Sequence, residues 1–179
     1  MPGASMYLPK QATSFTSSHE PVVVYLPPGL LYAAATPVAV TTVLGSCVAV
    51  CLFDAAAGAG GINHYLLPFW DGEGLASPKY ANIALPKLIE KLFALGCRRQ
   101  NLKAKIFGGG AVFQRVGGLF GVGERNILFA EQYLADAGIQ IVARDVGEGF
   151  TRKLIFHLHT GEAFVRKLKA QESGAARGE

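Results

Sequence analysis

"TTVLGSCVAVCLFD", residues 41–54, decides how this chain is read. Valines crowd the stretch, and β-branched side chains favour an extended backbone, so it predicts strand on both sides of a bend at Gly45-Ser46. The run is apolar on both of its faces, which marks a strand with no side turned to water. It also carries Cys47 and Cys51, and "GGINHYLLP" (60–68) follows with His64.

Working outward, "VVVYL" (22–26) and "VAVTTV" (38–43) are short β-rich runs bounded by Pro and Gly, and "GINHYLL" (61–67) closes at Pro68. After the polar loop "FWDGEGLASP" (69–78), Ile83, Leu88, Leu92 and Leu95 recur near helical spacing up to Gly96. Pro86 falls inside that pattern and marks either a helix start or a kink. "LKAKIF" (102–107) is a strand running into glycines, "ERNILFAEQYLADAG" (124–138) a second helix and "IQIVAR" (139–144) a strand. "RKLIFHL" (152–158) and "AFVRKL" (163–168) form a hairpin around Thr160-Gly161. Strands, then helix–strand–helix–strand, then a hairpin predict an α/β fold: a layered sandwich of mixed β-sheets with helices packed on one face. One domain is expected over residues 21–168, with 1–20 a flexible extension and 169–179 a disordered tail.

Composition excludes several classes. Half the residues are hydrophobic and 17% charged, which argues against disorder. A net charge of +4 with no aromatics interleaved on a basic face gives no support for nucleic-acid binding. The basic C-terminal run reads as a solvated edge strand. From Pro21 to Phe53 there is no charged residue, but Pro27, Pro28, Gly29 and Pro37 leave no uninterrupted piece near the roughly 20 residues a spanning helix needs, so no membrane insertion is expected. Three cysteines fit neither a disulfide framework nor a zinc set and suggest a reducing cytoplasm.

A cysteine nucleophile needs a base, because a free thiol titrates near about 8.5. His64 is the candidate. A four-residue hairpin loop at 54–57 would put Cys47 directly opposite His64, and an eight-residue loop at 54–61 would put Cys51 there instead. Local context separates the cysteines: Cys47 follows a Gly-Ser bend whose amides could line an oxyanion hole, while Cys51 sits mid-strand. Thr41, Thr42, Ser46 and Asn63 are the polar groups near enough in sequence to orient the imidazole, and Asn63 is weakened by alternation, which turns it away from His64. His157 and His159 alternate beside a turn, but no further ligand completes a metal site. "FGGGAVF" (107–113) lacks a phosphate-loop ending and reads as close backbone packing.

With "LGSCVAVCLFD" and "GG-x-x-H-x-x-LP" in place, the chain resembles the CheD family, chemoreceptor glutamine deamidases of bacterial chemotaxis. "KYANIALPKLIEKLFALG", "LKAKIFGGG", "GERN", "IQIVARDVGEG" and the final hairpin continue the match in order, over roughly residues 21–168. The resemblance implies a cofactor-free Cys–His–Thr amidohydrolase on a fold like the cytotoxic necrotizing factor catalytic domain. Its cysteine falls on Cys47, its histidine on His64 and its threonine on Thr41, with Thr42 adjacent. It implies methyl-accepting chemotaxis receptors as cytoplasmic substrates and a CheC-type phosphatase as a candidate partner. The competing reading is a non-catalytic adaptor. Gly147-Glu148 stands where the family usually has Gly-Gly.

Overall fold

The computed structural model describes residues 20–111 and 121–169, so most of the expected N-terminal extension and C-terminal tail lies outside it. The described elements run β1 (Val22–Tyr25), β2 (Leu31–Ala34), β3 (Val38–Leu44), β4 (Val48–Asp54), β5 (Ala59–Asn63), α1 (Ala81–Ala94), β6 (Lys103–Gly108), α2 (Val122–Asp136), β7 (Gln140–Val146), β8 (Phe150–His157) and β9 (Ala163–Lys169). They form a four-stranded sheet, β1-β3-β8-β9, and a five-stranded sheet, β2-β5-β4-β6-β7. One apolar cluster lies between the sheets and includes Val40, Leu44, Ala49, Cys51, Ile62, Leu154 and Phe156. A second holds both helices on the five-stranded sheet through Val50, Leu52, Leu85, Leu88 and Leu134. The fold is therefore the expected α/β sandwich, sheet on sheet on helices.

β4 explains the opening stretch. Its residues point alternately into the two cores, Val48, Val50 and Leu52 toward the helices and Ala49 and Cys51 toward the other sheet. A strand sandwiched this way has no solvent face, so it reads as a continuous apolar run. The neighbouring glycines let both layers close in. A Cβ at Gly60 would collide with the Leu158 carbonyl, and one at Gly61 would meet Leu88 Cδ1 at 2.6 Å.

The differences from expectation are local. β2, four half-buried residues of "LYAA", gave no strand signal of its own and exists because it pairs with β5. α1 begins five residues before Pro86 and runs through it, burying Ala81, Ala84, Leu85, Leu88, Ile89 and Leu92. Its buried face omits Ile83 and Leu95, which the spacing had included. β9 is the solvated basic edge, with Lys167 bridging to Asp145 and Glu148.

Candidate active site

The β4–β5 hairpin closes between the two expected registers. Asp54 pairs with Ala59 and Cys51 with Ile62, and the same register resumes where Val48 bridges Tyr65. Continued through the gap, it places Ala49 opposite His64. Cys47 and Cys51 then lie one step to either side on the same face, diagonal neighbours at about 7–8 Å between Cα atoms. Register thus leaves the cysteines equivalent, and accessibility separates them. Cys51 is fully buried, and burial holds its thiol well above the ordinary range. Cys47 sits just before β4 begins and is half-buried. Burial raises its thiol too, partly offset by its own backbone N–H, which favours the thiolate.

His64 is fixed from two directions. The Pro27-Pro28-Gly29 turn brings the chain across from β1 to β2, where Gly29 N–H donates to His64 O (2.7 Å) and His64 N–H donates to Leu30 O (3.0 Å). Gly29 needs its glycine for this turn, with φ +80°. The ring points between the sheets and is 1% exposed. There Thr42 Oγ1 lies 2.7 Å from His64 Nδ1 and donates its own hydrogen to Leu26 O at 2.7 Å. A hydroxyl that spends its hydrogen on a carbonyl can only accept from the ring, so the network assigns the imidazole proton to Nδ1. Nε2 is left with its lone pair, and it has no hydrogen-bond partner among the described residues. Burial pushes His64 down to about 4, with the Leu26 carbonyl countering in part. At neutral pH the two groups are a neutral thiol and a neutral imidazole.

The resemblance put the threonine at Thr41; the structure brings Thr42 to His64 instead. Adjacent residues of a strand face opposite ways, and Thr42 shares the inward face of β3 with Val40 and Leu44 while Thr41 turns outward. Asn63 also faces away from His64 and accepts the Val50 N–H at 2.9 Å. Thr42→Val is expected to cost kcat about tenfold or more, because the imidazole loses the partner that sets its tautomer, and to cost stability about 1–3 kcal/mol through the stranded Nδ1 and Leu26 carbonyl. Thr41→Val should stay within about twofold by the same kinetic assay, since its hydroxyl has no part in this network.

The glycines that end and follow β6 pack against the turn that carries Cys47. Gly109 N–H donates to Cys47 O and Gly110 N–H to Gly45 O, each at 2.8 Å. A Cβ on Gly108, at φ +102°, would drive into the Cys47 carbonyl oxygen, and one on Gly110 would meet the Phe150 carbonyl oxygen at 2.5 Å. Gly108→Ala is therefore expected to destabilise by about 3 kcal/mol or more, read as a lowered urea midpoint. This is the close backbone packing that "FGGGAVF" suggested, over the part of it that is described.

The CheD family model, described as CheD chemotactic sensory transduction, matches residues 66–167. A probable chemoreceptor glutamine deamidase CheD of Trichlorobacter lovleyi is 44% identical over 147 residues, 82% of this chain and 91% of the relative. One of Sulfurimonas denitrificans, with the same description, is 44% identical over 150 residues, 83% of this chain and 96% of its own. The chain belongs to the CheD family. In this chain Glu148 takes the left-handed conformation, φ 58°. Its carboxylate lies 3.0 Å from Lys167 Nζ, and its carbonyl accepts the Ala111 N–H.

One buried polar residue that touches the Cys47 turn was not singled out in the sequence. Asn126, quoted only within "GERN", is fully buried on α2 and donates to Ser46 O (3.1 Å) and Leu66 O (2.9 Å). A polar residue in the apolar stripe Gly123, Ala130, Leu134 was the available signal.

Proposed function

We propose that this chain converts glutamine side chains of chemoreceptors to glutamate, with Cys47 as nucleophile, His64 as general base and Thr42 orienting it. The observation that carries the reading is the Thr42–His64 hydrogen bond, because it leaves the unprotonated Nε2 on the face that Cys47 shares. Thiol and imidazole are not hydrogen-bonded in this state. Such contacts commonly tighten only once substrate is in place.

The steps follow from the neutral pair. His64 Nε2 takes the thiol proton as Sγ attacks the carboxamide carbon, and the carbonyl electron pair moves to oxygen. The same imidazole, now protonated, gives its proton to the leaving nitrogen, and ammonia departs from a thioester. Water, deprotonated by Nε2, then attacks the thioester and releases glutamate and the thiol. Water is the only co-reactant. Receptor cytoplasmic domains as substrates put the reaction in the cytoplasm, in keeping with the lack, among the described residues, of any helix long and apolar enough to cross a membrane.

The test is mass spectrometry of a receptor cytoplasmic fragment incubated with the protein. Glutamine-to-glutamate conversion supports the reading. A fragment that binds yet is not converted would move the weight to an adaptor role, with a CheC-type phosphatase as the second partner to be sought by co-purification.

A further inference from the structure

Three consecutive carbonyls around Cys47 are each held by a donor. Gly110 N–H holds Gly45 O, Asn126 Nδ2 holds Ser46 O and Gly109 N–H holds Cys47 O. The N–H groups of Ser46 and Cys47, by contrast, make no backbone hydrogen bond among the described residues. In a planar trans peptide the C=O and N–H point in opposite directions. Anchoring Ser46 O therefore turns the Cys47 N–H the other way, away from Asn126. A carbonyl that accepts a hydrogen bond also polarises its own peptide, so the N–H at the far side becomes a better donor.

Asn126 is the one side chain among these three anchors. Its amide also reaches Leu66 O, two residues beyond His64, and its main-chain carbonyl accepts the Tyr65 hydroxyl at 2.6 Å. One buried residue on α2 thus ties the turn that carries Cys47 to the segment that carries His64. A residue serving packing alone would more cheaply be apolar, since its Oδ1 is buried with no hydrogen-bond partner among the described residues.

We propose that Asn126 is a positioning residue for acyl transfer: it fixes and polarises the Ser46–Cys47 peptide so that the Cys47 N–H stabilises the oxyanion formed on thiol attack. The proposal rests on Cys47 being the nucleophile. In that step the Sγ–C bond forms, the carbonyl electron pair goes to oxygen and the thiol proton goes to His64.

The test compares two reactions of Cys47 in the full chain, read by peptide-resolved mass spectrometry. With p-nitrophenyl acetate the thiol is acylated through a tetrahedral oxyanion and p-nitrophenolate leaves. With iodoacetamide it displaces iodide at a saturated carbon, and no oxyanion forms. Asn126→Ala is expected to slow acylation about tenfold or more and to leave alkylation within about threefold. Asn126→Asp, which keeps the volume and lacks the amino group, should show the same split and decides the matter if the alanine variant does not fold. Equal losses in both reactions, no loss in either, or collapse of the fold in both variants would overturn the proposal. A wild-type chain not acylated at Cys47 would overturn the nucleophile reading, and this one with it.

Discussion

Cys47→Ala is expected to remove glutamine-to-glutamate conversion in a receptor fragment by a factor of about 10⁴ or more, because Cys51, the other thiol on that face, is fully buried. The substitution deletes a single half-buried sulfur in the turn just before β4. Its cost in urea unfolding should stay within about 1 kcal/mol, so lost activity would not be lost fold. Cys51→Ala is the matched control. It empties a site that is fully buried between the sheets, one diagonal from the same histidine, and should cost about 1–2 kcal/mol of stability while conversion continues. Conversion that survives Cys47→Ala and stops with Cys51→Ala would assign the nucleophile to the wrong side of His64.

The second large effect is expected at His64. His64→Gln should lower kcat about 10³-fold, the usual contribution of a positioned general base. The pH dependence identifies the base. With its pKa pushed down to about 4, His64 stays neutral and competent well below the ordinary 6.5, so the acid limb of Cys47 acylation should fall near 4. An acid limb at the ordinary imidazole value would contradict a buried base. Stability carries the same signature with a definite sign. The folded pKa lies below the unfolded one, so the unfolded chain binds the proton first. The stabilisation is fully present above 6.5 and is lost as pH falls from there through about 4. The loss is on the order of 3 kcal/mol. Urea unfolding of His64→Gln across that window should lack this component, and a wild-type-like slope in the variant would assign it elsewhere.

The difference between Thr41 and Thr42 shows where sequence reading stops. Counting back from the cysteine gives a position but no direction, and on a strand a one-residue offset reverses the face. Alternation from Val40 and Leu44, both buried, would have pointed to Thr42. The resemblance, which placed the role at Thr41, carried no such directional information. The hairpin register failed in a related way. Loop length was argued from turn preferences, yet the loop closes around residues 55–58, where Asp54 Oδ1 accepts the N–H groups of Ala56 and Ala57. Burial works against the charge on Asp54, but those bonds and the Arg98 N–H to Oδ2 hold its carboxylate below the ordinary range and fix the turn.

The sequence by itself determined the layers and the strand segments beside Cys47 and His64, while the pairing of those two residues came from the family resemblance. Layers and strands follow from side-chain chemistry repeated over many residues, in which apolar periodicity, glycine punctuation and β-branching all agree. Only the tertiary structure decided which threonine touches the imidazole, which way its proton sits and that Asn126 reaches the Cys47 turn from 80 residues away. Each of these rests on one or two hydrogen bonds between distant segments. A hydrogen bond acts over about 3 Å, and local sequence pattern carries no record of which distant segments the packed layers bring that close.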